Sequence, residues 1–198
     1  VAEEFGPGWT GPLLVTADYG DAASPEEAQA RLDELRADLI ATPGVAAVPS
    51  ATLNPAGDAA IVNVVPSGSP QDASTEDLVH QLRTTVLPQA EGVHHVGGAT
   101  ATAVDLADRL GQRMIWFIGF VVALSMLLLL VEFRSIFIPI KAAVMNLLSV
   151  GAAYGVVVAV FQWGWFADLF GGAPGPIESF APMMLFAVVF GLSMDYEV

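Results

Sequence analysis

The chain has 198 residues, 54% of them hydrophobic, with 7 basic against 21 acidic side chains and no cysteine. A formal charge of −14 leaves no basic patch for phosphates and excludes nucleic-acid binding, while the lack of cysteine excludes disulfides and thiolate metal sites. The charge is unevenly placed: residues 1–113 carry 5 basic and 16 acidic side chains, a formal −11, whereas residues 114–198 carry 2 and 5 and hold all three long apolar runs.

The opening "VAEEFGPGWTG" lacks the basic start and apolar core of a signal peptide. A chain that begins with an acidic soluble segment and stops within an apolar helix is expected to be a fragment.

"GPLLVTAD" (Gly11–Asp18) is β-rich and bounded by Gly and Pro. "SPEEAQARLDELRADLIA" then predicts a helix, with Ser24 as N-cap, Pro25 at the first helical position and Glu27 three residues after the cap. Ala28, Leu32, Leu35 and Leu39 recur at spacings of three and four and form one apolar face. Pro43 and Gly44 stop that helix. Two strand-like runs, "VAAVPSATLN" and "AAIVNVVP", flank the turn signal "NPAGD". A second helix is predicted from Ser74 as cap, with Asp77 three residues on, and "GVHHVGG" is a last short strand. The order is βαββαβ, a ferredoxin-like α+β pattern. That fold hosts many functions and settles none.

The second half reads as membrane. Met114–Val131 is an uncharged apolar stretch of 18 residues, and Ala142–Trp163 is another of 22. Each is long enough for a transmembrane helix. A third begins near Ala181. The predicted division is therefore residues 1–113 as an outer domain and residues 114–198 as a membrane region. Its helices are expected at about 114–133, 139–163 and 181–198. Arg134 and Lys141 favour a cytoplasmic short loop. Arg109 and Arg113 flank the opposite end of the first span, but they follow a folded domain, and long domains cross regardless of charge. The acidic domain is accordingly placed outside.

Asp195 carries the sharpest chemical question. A helix starting near Pro182 puts it thirteen residues on, roughly 20 Å along the axis. A mid-membrane Asp costs about 2.5–3.5 kcal/mol on an insertion scale, so such residues usually face a bundle interior and serve a function. The competing reading is that the helix ends soon after and Asp195 sits among headgroups. Gly191, four residues earlier on the same face, would admit a neighbouring helix. Tyr196 follows directly. Adjacent residues point about 100° apart on a helix, so the two are expected to serve partners on other helices.

"GLSMDYEV", "KAAVMNLLSVGAAYG" and "GPIESFAP" together resemble the MMPL family of the resistance-nodulation-division superfamily, and "VGGATATAVDLADRL" fits the same family. The resemblance implies the second half of a transporter in a bacterial cytoplasmic membrane. That half would hold its second extracytoplasmic porter domain and helices eight to ten of a multi-pass bundle. In this family an Asp-Tyr pair recurs mid-membrane in each half, and the two pairs act reciprocally as a proton relay. The match carries onto Asp195 and Tyr196; the partner pair belongs to the first half, missing from this chain. The implied activity is proton-driven export of a lipid or other hydrophobic molecule, not an enzymatic reaction. Its partners are protons, membrane lipids and that first half, and no cofactor is implied.

Weaker candidates have bland readings. Asn146, Ser149 and Tyr154 are polar groups in the middle span, and Ser149 with Gly151 reads as packing glue rather than a pathway. Glu197 points away from Asp195 and reads as structural or cytoplasm-edge. Glu132, Phe133 and Arg134 read as an interfacial cap. His94 and His95 lie on opposite strand faces, with no third ligand nearby for a metal. No nucleotide-binding glycine loop supports ATP hydrolysis. Two rival functions remain: a protein-secretion accessory of the same superfamily, and a membrane-anchored ligand sensor, which needs no buried Asp-Tyr pair.

Overall fold

The computed structural model describes residues 2–165, 175, 177 and 180–195. The chain divides into two compact units, Val1–Asp105 and Leu106–Val198.

In the first unit a short helix α1 (Ala2–Phe5) and a 3-10 turn (Pro7–Thr10) precede β1 (Leu13–Asp18), α2 (Pro25–Ala41), β2 (Val45–Leu53), β3 (Ala59–Pro66), α3 (Ala73–Gln81) and β4 (Val93–Gly97). The strands form one antiparallel sheet in the order β2-β3-β1-β4. The βαββαβ order is thus the one expected from the sequence. Val15 sits opposite Val62 on one side and Val96 on the other. Because side chains alternate across a strand, Leu13, Val15 and Ala17 share the inner face with Ala60, Val62 and Val64, and all are buried. The apolar stripe of α2, Ala28, Leu32, Leu35 and Leu39, closes that face together with Leu78, Val79 and Leu82.

The α2 cap follows its sequence signature. Glu27 N–H donates to Ser24 Oγ at 3.2 Å, and the Glu27 carboxylate accepts from Ala23 N–H at 2.9 Å. The cap read for α3 is corrected. Asp72, not Ser74, is its N-cap, and Ser74 lies inside the first turn. The Asp72 carboxylate accepts from Ser69 N–H at 2.6 Å rather than from the helix, so a local turn wins the side chain that a capping box would have used. Beyond α3 the chain continues through a π turn (Leu82–Val86) and a 3-10 turn (Leu87–Gln89).

Three polar contacts complete this unit. Arg31, with 15% of its side chain exposed, pairs with Glu27 at 2.7 Å, Glu91 at 3.0 Å and Asp21 at 3.1 Å. Arg83 grips Asp105 with its two terminal guanidinium nitrogens, Nη2 at 2.9 Å, and Nη2 also donates to Val96 C=O at 2.9 Å. Thr100 Oγ1 donates to Gly11 C=O at 2.9 Å. Gly8 packs so closely that an added Cβ would lie 1.7 Å from Pro66 O.

The long helix α4 (Ala99–Phe133) begins well before the apolar stretch that marks it in the sequence, and Ala101 and Val104 in its first turns belong to the sheet core. In the second unit its apolar stretch is followed by α5 (Phe137–Val157), a π turn (Val158–Gln162) and α6 (Ala181–Asp195). Two helical segments, Ala99–Phe133 and Phe137–Gln162, are long and apolar enough to cross a membrane. Only 6% of the most apolar window of the first is buried within the chain. Trp116, Phe120, Leu128 and Val131 stand exposed on it. In water such a surface would aggregate; in hydrocarbon it is at no disadvantage.

Candidate functional site

The α5–α6 pair holds the polar chemistry of the second unit. Asn146, Val150 and Tyr154 are spaced by four and line one face of α5. Asn146 is 1% exposed and is, among the described residues of this unit, the one fully buried polar side chain. Ser193 Oγ of α6 donates to Asn146 Oδ1. Two turns along α5, Tyr154 donates its hydroxyl to Pro182 C=O in the first turn of α6. The later α5 residue meets the earlier α6 residue, so the two helices run antiparallel. Between these contacts Val150 packs with Phe186 and Phe190. Phe186 stacks on Phe190 at 5.1 Å and meets the edge of Phe117 from α4 at 5.8 Å.

The pattern has a physical logic. Leu, Val and Phe side chains lose nothing by facing lipid tails, so they cannot fix which helix meets which. An interhelical hydrogen bond can, at about 0.6–2 kcal/mol each, because its groups find no water in hydrocarbon. Two such bonds, one near each end, define the axial and rotational register of α6 against α5.

Asp195 closes α6 as its last residue, two residues beyond Ser193. Tyr196 lies outside the described residues, as does Glu197. Ser149 and Gly151, read from the sequence as packing glue, are exposed on α5. Among the described residues the face of α5 that packs on α6 is the Asn146–Tyr154 stripe. A Cβ built on Gly191 likewise meets no described atom within 4 Å. Ser193 was not singled out in the sequence; its signal is that it is the one hydroxyl in the run "FAVVFGLSMD".

An open hollow of about 370 Å³ adjoins the Tyr154–Pro182 contact, lined by Val157, Val158, Phe180, Leu185 and Val188 among others. A larger one, about 550 Å³, lies beside β4 in the first unit, with Arg83, His94 and His95 in its wall. There Arg83 is committed to Asp105 and Val96, and the two histidines alternate across the strand. His94 packs edge-on against Tyr19 at 5.9 Å, with neither ring nitrogen in an aligned hydrogen bond. Burial lowers its pKa, partly offset by the Gly92 backbone and reinforced by His95. Burial raises that of Tyr19, against the pull of Arg31. Both shifts follow first from burial and not from a pairing of the two groups.

A sheet-and-helix unit followed along the chain by two helical segments long and apolar enough to cross a membrane fits a membrane protein and by itself names no activity. The sequence matches the MMPL family over residues 8–198, and the chain belongs to that family. It is 38% identical over its whole length to the heme uptake protein MmpL11 of Mycobacterium tuberculosis, covering 21% of that protein. It is 34% identical, again over its whole length, to the mycolic acid-containing lipids exporter MmpL11 of Mycolicibacterium smegmatis, covering 21% of it. Over 69% of its length it is 32% identical to the trehalose monomycolate exporter MmpL3 of M. tuberculosis, covering 14% of that protein. The chain thus spans about a fifth of the length of the curated relatives it matches along its whole length.

Proposed function

We propose that this chain is part of a proton-driven secondary transporter that exports a lipid or similar hydrophobic molecule across a bacterial cytoplasmic membrane, with Asp195 and Tyr196 as its intramembrane proton relay. One observation carries the reading. In a chain of the MMPL family, α6 carries no ionisable side chain from Ala181 until it reaches Asp195. An ionised carboxylate is costly in hydrocarbon and a protonated one much less so. Each proton bound or released at Asp195 therefore changes which packing of the helices is favoured. The relay partners are an Asp-Tyr pair on the first half of the transporter, and α4–α6 form part of a multi-pass bundle with helices supplied by that half. Alternation between two packings moves the porter domain, residues 1–113, which faces the outside. Protons and membrane lipids are its other partners.

The cargo class is supported by the relatives named for mycolic acid-containing lipids and trehalose monomycolate, and by the apolar lining of the 370 Å³ hollow. The name of the relative at 38% identity favours a second reading, uptake of a haem-like macrocycle. Both cargoes join a large apolar body to a polar end, so the membrane machinery is shared and the direction differs.

The test is transport by the full-length transporter in sealed vesicles under an imposed pH gradient, with a labelled lipid and with hemin as cargoes. Asp195→Asn keeps shape and most hydrogen bonding but removes the titratable charge. It should abolish gradient-driven transport while insertion stays near wild type. Tyr196→Phe should give a partial defect. Wild-type transport by Asp195→Asn would end the relay reading, and hemin uptake without lipid export would select the second cargo.

A further inference from the structure

The Ser193–Asn146 bond lies two residues along α6 from the proposed proton site. We propose that Asn146 is a positioning residue for Asp195, acting through Ser193; the inference rests on Asp195 being the proton site. Ser193 precedes Asp195 by two residues, a rise of about 3 Å along the helix. Pinning the Ser193 hydroxyl to α5 fixes the height and rotation of the next half-turn of α6, on which the backbone of Asp195 stands. The second bond, Tyr154 to Pro182 at the far end of the pair, prevents α6 from pivoting about the first.

The identity of the residue matters. Asn146 is almost completely buried, in a unit where the other described buried side chains are apolar. If the site needed packing alone, an apolar side chain such as leucine, branched at the same carbon, would serve in hydrocarbon at no desolvation cost. An asparagine also has no charge to lose across the pH range in which a carboxyl titrates. Neither side chain of the Asn146–Ser193 bond titrates in that range, which gives the proton site a reference on the neighbouring helix whose own charge does not change. A histidine or carboxylate at position 146 would change its own hydrogen bonding as the gradient changed.

Other titratable or charged groups on these elements stand apart from this bond. On α5, Lys141 is exposed, and Tyr154 is engaged by Pro182 at the opposite end. Glu132 at the end of α4 and Arg134 in the connection to α5 are exposed. On α6, Asp195 is the one titratable residue within Ala181–Asp195.

The test uses the full-length transporter in proteoliposomes, measuring initial rate against pH. Asn146→Leu and Ser193→Ala should each slow transport roughly tenfold, the scale on which small misplacements of a reacting group act, and each should displace the pH of half-maximal rate. The double variant should be no slower than either single, since both remove the same bond. Ser193→Thr, which keeps the hydroxyl, should retain the wild-type profile, and the exchange Asn146→Ser with Ser193→Asn should recover much of the rate. If Asn146→Leu does not accumulate in the membrane, Ser193→Ala alone decides, because it removes one oxygen and no packing volume of consequence. Wild-type rates and profiles for the variants, with Asp195→Asn inactive, would overturn the positioning role and leave the relay standing. A lower rate with an unmoved pH profile would also overturn it, assigning the pair to packing. An active Asp195→Asn would instead remove the relay beneath the inference, a result that cannot be confused with the other two.

Discussion

At the scale of single residues, burial sets the chemistry. Burial of its ring nitrogens beside Tyr19 disfavours the charged form of His94 in the first unit. Its folded pKa is lowered from 6.5, first by burial, so between the two values the unfolded chain binds the proton that the folded one refuses. Stability from this group is then complete above about pH 6.5 and is lost as the pH falls from there toward the lowered value. His94→Phe should flatten that acid-side loss. Urea midpoints of residues 1–105 at pH 7.5 and pH 5 check this, and an undiminished pH difference in the variant would assign the effect elsewhere. The sequence placed His94 and His95 on opposite faces, by strand alternation, and that placement holds. Which of the two faces inward depends on strand pairing, because β4 has a covered side only where α2 and the α3 region pack on the sheet.

At the scale of elements, two helices with similar sequence signatures start differently. Ser24 caps α2 through the Glu27 N–H, whereas Ser74 sits inside α3 and Asp72 precedes it as N-cap. Ser24→Ala should therefore destabilise residues 1–105 by about 0.5–2 kcal/mol, and Ser74→Ala should stay within roughly 0.5 kcal/mol of wild type, as exposed substitutions usually do. Equal losses in denaturant titrations would show that Ser74 holds its helix end after all. Sequence spacing alone cannot separate the two, since "SPEEA" and "STEDL" both offer a hydroxyl with a carboxylate three residues on. What separates them is the turn before α3, where Asp72 bonds to Ser69 N–H and Thr75 Oγ1 bonds to Ser69 C=O. Those bonds set the start of the helix two residues earlier.

At the scale of the whole molecule, orientation across the bilayer is the proposal most open to a direct test. In that proposal, positive charge at Arg134 and Lys141 favours a cytoplasmic α4–α5 connection, which would put the first unit outside. Single cysteines can be introduced at Ala56, in the exposed β2–β3 turn, and at Ser135, in the α4–α5 connection, and these 198 residues themselves add no competing thiol. An impermeant thiol reagent should label Ala56→Cys in intact cells and Ser135→Cys only after permeabilisation. The reverse pattern would turn the whole assignment inside out.

Periodicity and composition by themselves determined the βαββαβ order, the buried stripe of α2 and the apolar stretches of α4 and α5. Each is a local consequence of which side chains recur at spacings of two, three or four, or of an unbroken apolar run. The quoted motifs carried the family. Tertiary structure alone decided that α4 begins at Ala99 and lends Ala101 and Val104 to the sheet core. Nothing in "ATATAVDLADRL" ranks those two positions above their neighbours. It also decided that Asn146 of α5 meets Ser193 of α6, 47 residues apart. In a nearly uniform apolar helix every face looks alike along the sequence, and only the arrival of a second helix gives one polar atom its partner.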